Sequence, residues 1–112
     1  MIVRPAVRED NEALCRMELL APQGTAIRLT EKRHDFFARA REFPGAVLLV
    51  AADEKTGKLI GVMGGAPVKL RIGGRERLGG YLFDFRSNPE YQRGLSRALL
   101  FLWQEVERQS PL

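Results

Sequence analysis

Between Glu90 and Ser96 the chain sets one glycine and several main-chain N–H groups just ahead of an apolar-periodic segment, in the order Glu90-Tyr91-Gln92-Arg93-Gly94-Leu95-Ser96. A helix starting there presents unpaired N–H donors and the positive end of its dipole to the loop, an arrangement that suits a diphosphate. Arg93 and Arg97 can add charge-assisted hydrogen bonds to phosphate oxygens, or stand as ordinary exposed arginines. Asp84 is the only acid in the strand-like stretch before the loop, which makes it the candidate general base, acting through water. Arg86, two residues further on, could instead pair with it in a structural ion pair, and both readings stay open. Other reactive groups are sparse. A single cysteine, Cys15, and a single histidine, His34, leave no internal disulfide and no cysteine or histidine cluster for a metal. Cys15 reads as a small packed hydrophobe, and His34 as a surface or core residue.

Periodicity indicates the elements that position these groups. Tyr81, Phe83 and Phe85 alternate with Leu82, Asp84 and Arg86, which predicts a strand with the three aromatics on one face and Asp84 on the face of Leu82 and Arg86. Asn88-Pro89 stops it, and Leu95, Leu99, Leu102 and Val106 predict a terminal helix to Gln109, with Trp103 in the core. Upstream, Ile2–Val7 is a short edge strand. Asp10 caps a helix over Asn11–Leu20 with a stripe of Leu14, Met17 and Leu20 or Ala21. Thr30 caps a second helix, Glu31–Glu42, that buries Phe36 or Phe37, Ala40 and Phe43. Ala46–Ala52 is a continuous apolar run and predicts a buried central strand. Leu59–Val68 is the next strand, interrupted by glycines and irregular or at an edge near Pro67. Gly73-Gly74 between alternating segments is a hairpin signal. The fold class is therefore α/β (α+β), a mainly antiparallel sheet flanked by helices in the order β-α-α-β-β-β-α, as a single domain over 1–112.

The chain has 112 residues, 45% of them hydrophobic and 29% charged, and a net charge of +4. Residues 69–97 hold seven Lys/Arg against three Asp/Glu, so the positive surplus lies around the loop and can attract an anionic ligand. No apolar run nears the roughly 20 residues of a membrane span, and no membrane partner is expected. The lone cysteine makes a cytoplasmic setting the default. Nucleic acid is not expected as a partner either: the aromatics of Tyr81–Phe85 face the core more simply than they stack bases.

The stretch Pro89 to Leu100, with Gln92-Arg93-Gly94 ahead of Leu95-Ser96-Arg97-Ala98-Leu99-Leu100, resembles the acyl-CoA-binding motif of the GNAT superfamily of N-acyltransferases. That motif is written Q/R-x-x-G-x-G/A, preceded by a proline and followed by an A-L-L helix. Arg4-Pro5-Ala6 followed by Asp10, and the strand–turn–strand around Gly57 and Gly61, resemble earlier elements of the family, so the likeness covers residues 2–109. It implies transfer of an acetyl group from acetyl-CoA to a primary amine, on a small molecule or on a protein N-terminus or lysine, with no metal. It further implies that the main chain of Phe85, Arg86 and Ser87 contacts the acyl carbonyl and pantetheine, and that Gln92, Arg93, Gly94, Leu95, Ser96 and Arg97 hold the pyrophosphate. The alternative is a non-catalytic GNAT-like interaction or regulatory domain, with CoA binding but no turnover, or with neither. The chain departs from the pattern in several places. One residue, not two, separates Gln92 from Gly94, a shortening of up to about 3.5 Å of chain. Ser96 replaces the second glycine or alanine, and Ser87 stands where apolar residues are common. Family members continue through a fifth strand, a helix and a terminal hairpin, so the expectation is a C-terminally incomplete domain. An open sheet edge after Tyr81–Ser87 would then invite a homodimer.

Overall fold

The computed structural model of the chain describes residues 1–20, 34–91 and 95–109. Four strands, β1 (Ile2–Pro5), β2 (Val47–Ala52), β3 (Leu59–Ile72) and β4 (Arg75–Ser87), form one antiparallel sheet in the order β1-β2-β3-β4. The helices are α1 (Asn11–Leu20), entered through a 3-10 turn at Arg8–Asp10, then α2 (Ala38–Arg41) and α3 (Leu95–Gln109). Alternate residues of β2 point to opposite faces, and both faces are covered, which is why the run VLLVAA carries no polar residue. Leu48, Val50 and Ala52 pack with Leu59, Val62, Leu14 and Met17 of α1, and Phe36. Leu49 and Ala51 pack with Ile60, Met63, and Ala98, Leu102 and Val106 of α3.

β3 and β4 form one long hairpin. Its turn is Gly73-Gly74, with φ of +60° and +77°, the left-handed values a two-residue turn requires and glycine adopts without strain. The ladder phase set by the closing pair Ile72–Arg75 turns position 67 away from β4, and β2 pairs with β3 only as far as Gly65. Pro67 therefore sits inside β3 at an edge where its missing N–H costs no ladder bond. Gly64 and Gly65 let both neighbouring layers approach: a Cβ at Gly64 would lie 2.4 Å from the Phe83 ring, and one at Gly65 2.5 Å from Val106.

Several expectations need correction. The second helix is not Glu31–Glu42 among the described residues, but the single turn Ala38–Arg41. Asn11 accounts for this, because its side chain accepts from Phe36 N–H at 2.8 Å and donates to the His34 carbonyl at 2.9 Å. Asp35 in turn accepts from Phe37 N–H at 3.0 Å. Such side-chain bonds take the groups a helix would pair. Thr30 and residues 31–33 lie outside the described residues, as does Ala21. Trp103 is not core but 43% exposed, because α3 turns Ala98, Leu102 and Val106 to the sheet. Leu20 is likewise exposed.

Asp10 directly precedes α1, but its carboxylate points back. It takes a two-pronged bond from Arg4 at 2.7 and 2.9 Å and a third from Val7 N–H at 2.8 Å. The Arg4 guanidinium, aided by the Val7 amide and opposed by burial, holds its pKa below the usual carboxylate range. Asp35 is lowered to about 2, chiefly by Arg41, then by the Phe37 amide and Arg8. Both carboxyls are more acidic folded than unfolded, so their contribution is complete above an unfolded pKa of about 4 and is lost as pH falls through the folded values. The melting temperature followed by circular dichroism is therefore expected to drop steadily from pH 4 to pH 2. A constant value across that window would show that these pairs do not contribute.

Candidate active site

β4 is the outer strand of the sheet, and among the described residues no strand pairs with its far edge. Its ladder is broken once. Val62 faces Arg86 and Gly64 faces Phe83, so Met63 alone stands opposite both Asp84 and Phe85. This is a β-bulge, and Asp84 carries it with φ +53°, a left-handed conformation that aspartate tolerates better than most side chains.

The bulge corrects the alternation expected of this strand. Phe83 lies over Gly64 and stacks on Phe43 at 5.4 Å, with Tyr81 5.1 Å from the same Phe43 ring. Phe85 falls out of this group and is 41% exposed. Leu82 lies beside Gly65 on the α3 side of the sheet. Asp84 and Arg86 both reach elements of the α1 side, so Asp84 does not share a face with Leu82.

Nor do Asp84 and Arg86 take each other as the ion-pair partner. Arg39 Nη1 of α2 donates to Asp84 Oδ1 at 2.5 Å, and the Asp84 side chain is fully buried. Arg86 Nη2 donates to Glu18 Oε1 of α1 at 3.0 Å, with both side chains nearly buried. Two ion pairs thus tie the bulged end of β4 to the helices beneath it. Neither Arg39 nor Glu18 stands out from the sequence as a site residue. Glu18 did leave a signal, since it lies one turn after Leu14 and beside Met17, where a charge needs a buried partner.

Past the bulge the main chain regains its phase. Asn88 N–H donates to the Ile60 carbonyl at 2.8 Å, so the preceding residue, Ser87, which faces Gly61, turns its N–H and C=O away from β3. The Asn88 side chain then shapes the exit. Its Nδ2 donates to the Leu59 carbonyl at 3.0 Å and its Oδ1 accepts from Glu90 N–H at 3.0 Å, while Tyr91 N–H returns to the Asn88 carbonyl at 3.0 Å. That turn aims the chain at α3. Gln92, Arg93 and Gly94 lie outside the described residues. Leu95 and Ser96 begin α3, and Arg97, in its first turn, places its guanidinium 5.4 Å from the centre of the Phe101 ring. Arg97 also borders an open cleft of about 440 Å³ with Met1, Asp53, Glu54, Lys55 and Tyr91. Phe85, Arg86 and Ser87 thus lie at the end of the outer strand, and Leu95, Ser96 and Arg97 in the first turn of the next helix, which packs on β2 and β3.

A four-stranded antiparallel sheet in sequential order, packed between helices, is an α+β, GNAT-like fold. Solved structures with this fold cover nearly all of the chain. A GNAT family acetyltransferase of Staphylococcus aureus matches at 19% identity and a TM-score of 0.62, over 96% of this chain and 78% of its own. An acetyltransferase of Trypanosoma brucei matches at 22% identity and 0.62, over 96% and 74%. The BH1408 protein of Bacillus halodurans, as a tetramutant, matches at 16% identity and 0.72, over 96% and 76%. No family model and no curated protein matches the sequence.

Proposed function

We propose that this chain is an N-acetyltransferase domain that moves an acetyl group from acetyl-CoA to a primary amine. The observation that carries this reading is the outer edge of β4, where the bulge at Asp84 is followed by an outward-facing Ser87 N–H and a turn leading into the first residues of a fifteen-residue helix. Donors of this kind fit a thioester carbonyl and an amide-bearing pantetheine arm, and the helix start fits a diphosphate. In the transfer the amine nitrogen attacks the thioester carbonyl. The C–N bond forms, the C–S bond breaks and the sulfur leaves to take up a proton. The residues of this chain supply position, through the outward N–H of Ser87 with Phe85 and Arg86 holding the strand beside it, and charge, through Arg93 and Arg97. Asp84 is the group put forward to receive the proton of the ammonium, acting through water.

A second reading is a CoA-binding domain without turnover. It is favoured by Arg39, which occupies Oδ1 of a carboxylate that has no solvent exposure. Release of free thiol from acetyl-CoA in the presence of small primary amines and a lysine-bearing peptide separates the two. Amine-dependent release supports the transferase, and saturable CoA binding with no release supports the second reading.

A further inference from the structure

The end of the β3–β4 hairpin belongs to neither core. β2 leaves β3 at Gly65, yet β3 and β4 remain paired out to Ile72 and Arg75, so residues 67–80 form a two-stranded ribbon projecting beyond the sheet. Every residue from Lys69 to Leu78 is exposed. This tip carries four cations, Lys69, Arg71, Arg75 and Arg77, against one acid, Glu76, and so holds three of the four net positive charges of the chain.

The register distributes these cations over both faces. Cross-strand partners share a face, which puts Arg75 and Arg77 with Ile72 and Leu70 on one side, and Lys69 and Arg71 with Leu78 and Glu76 on the other. Successive cations on one strand are about 7 Å apart. The exposed apolar side chains do not form one patch. Leu70 folds across Gly79, where a Cβ would come within 2.4 Å of it, and Ile72 and Leu78, each 63% exposed, lie on opposite faces. Lys69 pairs with Glu76 at 3.5 Å, which leaves Arg75 and Arg77 on one face and Arg71 on the other, and such a ribbon, without a single apolar face, matches a groove with an anionic wall on each side. It suits an apolar protein surface or a bilayer less well. A second copy is disfavoured because a two-fold contact would set like charges against each other.

We propose that this ribbon binds duplex DNA by entering the major groove, which at about 12 Å is wide enough for a two-stranded ribbon, with its cations on the flanking phosphates. The binding is electrostatic and indifferent to sequence. It is separate from the candidate acyl-transfer site, and from the aromatics Tyr81 and Phe83, which stack on Phe43.

The test is fluorescence anisotropy of a labelled 20-base-pair duplex titrated with the full chain. Three phosphate contacts predict that affinity falls about 40-fold between 50 and 200 mM salt. Replacing both Arg75 and Arg77 with glutamine is expected to weaken binding at least tenfold at 50 mM salt and flatten its salt dependence, with the melting temperature unchanged. Replacing both Ile72 and Leu78 with serine should leave binding within about twofold. Absence of binding at 50 mM salt overturns the proposal, as does binding untouched by the arginine changes. Single-stranded DNA bound as tightly as duplex also overturns it, and so does capture by phosphatidylserine vesicles in place of duplex.

Discussion

Replacing Glu18 with alanine is expected to cost about 3–5 kcal/mol of folding stability, because it strips a buried guanidinium of the carboxylate that compensates its desolvation. Glu18 is 3% exposed and the Arg86 side chain 10%, so water cannot easily take over the bond. For a domain of this size the loss corresponds to a fall of roughly 15 °C or more in melting temperature. The double replacement of Glu18 and Arg86 by methionine is expected to recover most of it, since neither member of the pair then carries a charge. Thermal melts of the single and double variants measure this directly. A Glu18→Ala melt within two degrees of the parent would mean that the pair is not the buried anchor its geometry describes. The consequence for the site is mechanical: Arg86 is two residues past the bulge and one before Ser87, so loosening it frees the segment proposed to face the thioester.

Replacing Asp84 with asparagine is expected to lower the rate of acetyl transfer by at least 100-fold, the usual contribution of a positioned general base, while leaving CoA affinity within about twofold. Asparagine also tolerates the left-handed conformation at φ +53°, so the bulge is retained and the change isolates the charge. The assay is single-turnover thiol release with the amine in excess, beside a CoA titration of the same variant. If turnover is kept and only the melting temperature falls, Asp84 serves as the partner of Arg39, and the proton acceptor lies elsewhere.

The sequence made some of these features legible and hid others for identifiable reasons. The Gly73-Gly74 hairpin, the apolar β2 run, and the bounds of α1 and the terminal helix follow from local chemistry, and the structure agrees with each. The bulge was hidden because Tyr81–Arg86 alternates without a flaw; the extra residue becomes apparent only against β3, where Met63 stands alone. The second helix was misjudged because its competitor, Asn11, lies 25 residues from Phe36 in the chain. Arg39 was not legible as a partner of Asp84 for a similar reason, since it lies 45 residues away while Arg86 is a sequence neighbour. The resemblance at Gln92-Arg93-Gly94 rests on the sequence alone, since those residues lie outside the described residues.

The most direct test of the acyl-transfer reading is a calorimetric titration of the chain with CoA, run beside a Ser87→Pro variant. Proline at position 87 removes an N–H that faces away from β3 and leaves the β3–β4 ladder intact. The account predicts saturable heat with the parent chain and about tenfold weaker binding with the variant, the equivalent of one hydrogen bond at about 1.4 kcal/mol. No heat from the parent chain at millimolar CoA, or equal affinity of parent and variant, would contradict it.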